Sequence, residues 1–311
     1  MEMTFGVILN TMKKRLLIAG GSGLIGSALT SEANRSGWET TILSRHPGPG
    51  RRVWDIEKGT IDLKDKEAYD AIINLAGASV AGGRWTEKKK KEIYESRINA
   101  SGTLEKYLRN GQLTTSFYHG MSGVGIYGDR GKEIITEETP LLPVEDWFIN
   151  MTRDWESSHK RIEALGIRTV IMRTSIVLSK DGGALKEIIS KPGFAVLSYF
   201  GNGSQVWSWV HIHDLVRMIF FYIDHDQSNG IYLASSPHPV TNKVLTKTIN
   251  QYLSPKRIVA GVPKMVMSLM LGETHRVLFE SCHAYPEKIL KEGFQFEFPV
   301  IDAAVSHLLS S

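Results

Sequence analysis

What the sequence has little of narrows its function first. Its 311 residues include one cysteine, Cys282, so no disulfide forms within the chain, and the expected setting is a reducing one, the cytoplasm. No apolar run reaches the ~20 residues of a membrane-spanning helix, so no membrane partner is expected. Charge of one sign is not in excess: 37 Lys and Arg against 33 Asp and Glu leave a formal net charge of +4. The basic residues form no stripe interleaved with aromatics, which argues against a nucleic-acid partner. The single charge run, Lys88 to Lys91, reads as a solvated helix face. Met1 to Thr11 lacks the basic start and cleavage site of a secretory signal, and Met12 is the expected start of the native chain. Internal repeats and low-complexity tracts are absent.

What is present is an ordinary globular composition, 42% hydrophobic and 23% charged, in a chain long enough for one large domain or two unequal ones. The stretch that organises it is Arg15 to Gly26, where Leu16-Leu17-Ile18-Ala19 runs into Gly20, Gly23 and Gly26. Apolar residues leading to a G-x-x-G-x-x-G turn, followed by small and apolar residues from Ser27 to Ala33, predict a buried parallel strand, a tight turn and a helix. Side chains at those glycines would block a pyrophosphate from the turn and the helix from the sheet. The helix amides then face the phosphates.

Trp38 to Leu43 predicts the second strand. NAD enzymes place an acid at its end for the ribose 2′-hydroxyl, whereas here it ends in Ser44-Arg45, with no acid between Glu39 and Asp55. Arg45, backed by Arg51 and Arg52, suits a 2′-phosphate and therefore NADP; the competing reading is loop arginines facing solvent. Val53 to Asp55 and Asp70 to Ala78 predict the next strands, the latter ending in small residues that leave room for a cofactor. A helix is expected from about Thr86 to Leu108, a strand over Thr114 to His119 and a helix from Phe148 to Leu165. A sixth strand follows over Arg168 to Leu178. Alternation of strands and helices means a parallel sheet with right-handed crossovers.

These residues resemble the extended short-chain dehydrogenase/reductase superfamily. The resemblance rests on the glycine triad, Asn74-Leu75-Ala76-Gly77, Asn99-x-x-Gly102-Thr103, Ser122 ahead of Tyr127-Gly128, and Trp209 to Asp214. More closely, the chain is similar to an atypical, epimerase-like family of nucleoside-diphosphate-sugar epimerases. Arg84-Trp85-Thr86-Glu87, Arg153 to Glu156, Gln205 to His211, Pro239 to Asn242 and the Leu271 to Pro299 tail carry that likeness. The resemblance implies an α/β Rossmann-type doubly wound parallel sheet with a smaller C-terminal substrate lobe. It places an NADP-binding domain over 12–178, with returning segments near 205–235. The C-terminal lobe would be 236–311 together with 179–204.

It implies cofactor contacts from Gly20, Gly23, Leu24, Ile25, Gly26, Ser44, Arg45, Asn74, Leu75, Ala76, Gly77 and Arg97, and substrate contacts from Arg84, Trp209 and His211. Arg97 has alternatives: an anionic substrate, or a structural salt bridge. In the wider superfamily a Tyr and a Lys four residues on perform acid–base work beside a Ser. Spacing puts those positions at Phe148 and Thr152, which cannot substitute. Ser122 fits the Ser role, and Tyr127 is the replacement candidate, with Tyr118, Arg97 and Glu156 behind it. His211 and His213, with Asp214, read as satisfied core or cleft residues, so no metal is expected. Gly120-Met121-Ser122-Gly123 lacks the second glycine of a nucleophile elbow. The expected function is NADP-dependent oxidoreductase or epimerase-like chemistry on a small substrate, with a nucleotide sugar as the candidate. The alternative is a non-catalytic NADP-binding sensor or partner-binding protein. Homodimerisation would be usual for such a chain.

Overall fold

The computed structural model describes residues 13–81, 83–189 and 196–310; the expectations for Met1 to Met12 lie outside the described residues. The large sheet contains β1 (Arg15–Ala19), β2 (Glu39–Ser44), β3 (Arg51–Asp55), β4 (Thr60–Ile61), β5 (Glu67–Asn74), β6 (Leu113–Gly123), β7 (Arg168–Thr174) and β8 (Gly230–Ala234). Their order across the sheet is β8-β7-β6-β5-β1-β2-β3-β4, parallel throughout except for β4, which pairs antiparallel with β3. From β1 the chain winds one way to β2 and the other way to β5. The crevice at the carboxyl ends of β1 and β5 is therefore a topological switch point.

The strands are apolar on both faces because helices cover both. Leu16 and Ile18 pack with Leu29, Met172 and Ile219 on one face, under α1 (Leu24–Arg35) and the helix Ile212–Asp224. Leu17 and Ala19, the alternate residues, pack with Leu104, Tyr118 and Ile162 on the other, under α2 (Glu87–Arg109) and α3 (Trp147–Glu163). Thr86 caps α2 by accepting from the Lys89 amide, and Asp146 caps α3 by accepting from the amides of Phe148 and Ile149. A further core joins Leu178, Leu197 and Trp209 to Leu245, Ile249, Ile301 and Val305.

Several elements differ from expectation, among them the strand expected over Asp70 to Ala78, which runs Glu67–Asn74. β6 continues to Gly123, so Ser122 is inside the strand rather than beyond it. The expected strand Arg168 to Leu178 breaks at Ser175, whose amide and hydroxyl both donate to Ala234 O at 3.0 and 2.8 Å. Beyond Ala234 the neighbouring strand has ended, and Ile176–Leu178 pairs instead with Trp209–His211. Trp209 thus lies outside the large sheet, while Ile231 lies within β8. In the lysine run, Lys88 and Lys91 are exposed, but Lys90 turns toward Glu273 at 2.8 Å and lies over the Trp147 ring.

Candidate functional site

The glycine turn forms where β1 ends. Gly20 adopts φ +82°, and a Cβ on it would lie 2.8 Å from the Leu75 carbonyl. A Cβ on Gly26 would fall 2.3 Å from Gly20 O, so α1 can approach the turn only with glycine there. Gly23 closes the turn through its amide to Gly20 O at 3.0 Å and is the extended N-cap of α1. It supplies no capping side chain, and the first turn, beginning Leu24-Ile25, holds no acid. The result is a shallow backbone cradle at the positive end of a twelve-residue helix, which a side chain would fill and a pyrophosphate fits. A cavity of about 600 Å³ opens beside it, lined by Ser22, Gly23 and Leu24 and by Ser179, Asp181 and His213.

At the end of β2, Ser44 Oγ accepts from the His46 amide at 3.2 Å, and Arg45 is exposed with no ion pair or hydrogen bond among the described residues. Arg52 is not available to help it, being held by Glu67 at 2.8 Å. Across the crevice, Asn74 is fully buried, bonded to Ser101 and Tyr118, and its Oδ1 accepts from the Ala76 amide. Leu75 donates its amide to Ala19 O, which ties the exit of β5 to that of β1. These bonds set the path of Ala76 and Gly77 along the crevice.

A buried polar network closes the carboxyl end of β6. Ser122 Oγ donates to Glu156 Oε1 at 2.7 Å, and Arg173 grips both carboxylate oxygens through Nε and Nη2 at 2.7 and 2.8 Å. The third Arg173 nitrogen donates to Tyr127 Oη at 2.7 Å, and that hydroxyl donates to Thr136 O at 3.1 Å. Burial alone would lower the Arg173 pKa; the Glu156 carboxylate outweighs it and holds the pKa above its usual value. Burial raises Tyr127 to about 12 against the opposing pull of Arg173. Ser122 and Tyr127 are thus brought together, but through Glu156 and Arg173. Tyr127, expected as an acid–base group, has both hydrogen-bonding roles filled and is fully buried, so it supports the network instead. Arg173 escaped the sequence reading; the available signal was a charge directly after the apolar run Val170-Ile171-Met172 within an expected buried strand, where a counter-ion is needed.

The expected substrate contacts lie elsewhere. Trp209 is fully buried, its Nε1 donating to His238 O. His211 stacks on Phe298, accepts from the His213 amide and faces His307 Nδ1 at 3.2 Å, and burial lowers its pKa to about 3. Neither presents a surface to a ligand. Arg84 donates to the carbonyls of Leu269 and Met270, fastening its loop to the helix Lys264–Leu271. Tyr118 is buried too, bonded to Asn74 and to His159 Nδ1.

The NAD-dependent epimerase/dehydratase family model matches residues 16–234, and a domain of unknown function, DUF1731, matches residues 262–308. The chain belongs to the NAD-dependent epimerase/dehydratase family. It is 31% identical over 300 residues to epimerase family protein YfhF of Bacillus subtilis, covering 95% of this chain and 98% of that protein. The crystal structure of human epimerase family protein SDR39U1 with NADPH is similar at a TM-score of 0.84 and 28% identity, covering 96% of this chain and 99% of that one. A nucleoside-diphosphate sugar epimerase of Corynebacterium glutamicum is similar at a TM-score of 0.73 and 28% identity, covering 96% of this chain and 58% of the other.

Within this family member, Phe148 and Thr152, where spacing placed a Tyr/Lys pair, carry no titratable group. Phe148 stacks on Trp85 with ring centroids 5.1 Å apart, and its ring lies where a Cβ on Gly125 would be. Thr152 is buried and donates to Phe148 O at 2.8 Å, a bond internal to α3. Among the described residues no three or more His, Cys, Asp or Glu are placed to hold a metal, and no helix is long and apolar enough to cross a membrane.

Proposed function

We propose that this chain binds NADP(H) across the β1/β5 crevice and acts as an oxidoreductase or epimerase-like enzyme on a small molecule without a Tyr/Lys dyad. The observation that carries the reading is the glycine cradle paired with an unengaged Arg45 where an NAD enzyme would hold an acid. The human relative crystallised with NADPH supports it. Gly20, Gly23, Leu24, Ile25 and Gly26 would seat the pyrophosphate, and Ser44 with Arg45 the 2′-phosphate. Asn74, Leu75, Ala76 and Gly77 would line the crevice beyond. When bound, the nicotinamide supplies a hydride donor or acceptor.

In this reading Ser122 Oγ, whose proton is given to Glu156, retains lone pairs to accept a substrate hydroxyl, and Glu156 stands behind it as proton acceptor. Arg173 and Tyr127 position that carboxylate. The substrate is a small molecule, with a nucleotide sugar as the first to try. The second reading, a non-catalytic NADP(H) sensor, is favoured by one observation: Ser122 is only 3% exposed.

Calorimetric titration with NADPH and NADH tests the cofactor. NADPH should bind at least tenfold more tightly, and binding of neither would overturn the proposal. NADPH oxidation across nucleotide sugars and small carbonyl compounds then separates enzyme from sensor.

A further inference from the structure

Arg97 is a buried cation without a carboxylate partner. It is 8% exposed, and its Nη1 donates to two carbonyls, Ala78 O at 2.9 Å and Ile93 O at 3.0 Å. The other edge of the guanidinium, Nε with Nη2, meets no acceptor among the described residues, and Nε is fully buried. That edge is the one this chain uses elsewhere to grip acids: Arg173 holds Glu156, and Arg35 holds Glu32, through Nε and Nη2 together. The guanidinium lies over Trp155, 4.7 Å from the ring centroid, and the indole Nε1 is likewise buried without an acceptor. Two neighbouring donors, one charged, are left unsatisfied where leaving even one is costly. Burial lowers the Arg97 pKa to about 10, which still leaves it charged at neutral pH.

We propose that Arg97 and Trp155 form the seat for a carboxylate or phosphate group of the substrate, gripped side-on by the guanidinium Nε/Nη2 edge with the indole N–H beside it. This rests on the reading that NADP(H) binds at the glycine turn. Gly77, which is exposed, packs directly on the guanidinium, and its missing side chain matters: a Cβ there would sit 3.0 Å from the Arg97 Cζ and 3.2 Å from its Nη1. Position separates this seat from the pyrophosphate. The pyrophosphate would face α1 at the end of β1, whereas Arg97 reaches up from α2 beyond β5. It stacks on Trp155, whose chain neighbour Glu156 binds Ser122 at the end of β6. An anion there would hold the rest of the substrate near Ser122.

The test uses inorganic phosphate and malonate as probes, titrated by calorimetry into the full chain, free and saturated with NADPH. Wild type should bind at least one probe in the NADPH-loaded state. Arg97→Gln should weaken that binding at least tenfold and Trp155→Phe, which keeps the ring and removes the N–H, several-fold. Arg97→Lys, retaining charge without the fork, should fall between. The NADPH dissociation constant should move less than threefold in all three variants.

Equal probe binding by wild type, Arg97→Gln and Trp155→Phe would overturn the proposal. So would a tenfold loss of NADPH affinity in Arg97→Gln with no probe binding by loaded wild type, since the fork would then serve the cofactor. If Arg97→Gln does not fold, the Trp155→Phe and Arg97→Lys titrations decide alone. Failure of wild type to bind NADPH would show separately, in the cofactor titration, and the free-protein probe series would still test the fork.

Discussion

Single charges decide most of what this site can do, and they divide into exposed and buried. Arg45 is exposed and unpaired, so replacing it should leave folding intact while removing the charge that a 2′-phosphate would meet. Arg45→Asp should weaken NADPH binding at least tenfold and spare or improve NADH binding; equal loss of both, measured by calorimetry, would remove the 2′-phosphate assignment. Glu156 and Arg173 are both about 5% exposed, and breaking such a pair strands a buried charge. Glu156→Gln or Arg173→Met alone should lower stability by about 3–5 kcal/mol in urea unfolding, whereas the double change should cost clearly less than the two singles together. The difference between these residues also marks what could be read from sequence. Arg45 was legible because a glycine turn and a strand end fix its place locally. The Glu156–Arg173 pairing was not, because it joins a helix to a strand through tertiary packing that no local spacing encodes. Trp209 and His211 misled for the same reason: aromatic and polar residues near a predicted cleft are equally suited to a buried core with satisfied hydrogen bonds.

Elements, by contrast, followed their local patterns closely. The strand–turn–helix at Arg15 to Arg35 and the helices α2 and α3 form where the apolar pattern and glycines place them. Boundaries failed where a neighbour strand, not the sequence, sets the end, as at Ser175. The two kinds of glycine in these elements give opposite predictions. At Gly26 a Cβ would meet backbone atoms, Gly20 O at 2.3 Å and Gly21 Cα at 2.6 Å, which cannot swing away. Gly26→Ala should therefore destabilise by about 1–3 kcal/mol or more and abolish NADPH binding by displacing α1 from the turn. Gly102 lies inside α2 with nothing within 4 Å of its would-be Cβ. Gly102→Ala should stabilise by about 0.4–1 kcal/mol, because it restricts only the unfolded chain. Thermal and urea unfolding of the two variants side by side check both signs.

At the scale of the whole molecule, three buried histidines make stability depend on pH. Burial lowers His119 to about 3, His159 to about 4 and His211 to about 3. The unfolded chain carries them near the ordinary value of ~6.5, so below that pH the unfolded state binds protons the native state refuses. Their contribution is complete above about pH 7 and declines as pH falls from ~6.5 toward the folded values. Each proton can contribute up to about 1.4 kcal/mol per pH unit, so the three together reach at most about 4 kcal/mol per unit. His119 isolates the effect, because neither of its ring nitrogens meets a partner among the described residues and strand alternation puts it on the apolar face with Phe117. His119→Phe should change stability little at pH 7.5 and raise it relative to wild type at pH 5.5, since it removes a group that must stay neutral without losing a hydrogen bond. Urea unfolding at both pH values reads this directly. A wild type equally stable at pH 7.5 and 5.5 would mean that the native state takes up these protons, and that water or a shifted packing reaches His119 beneath the sheet.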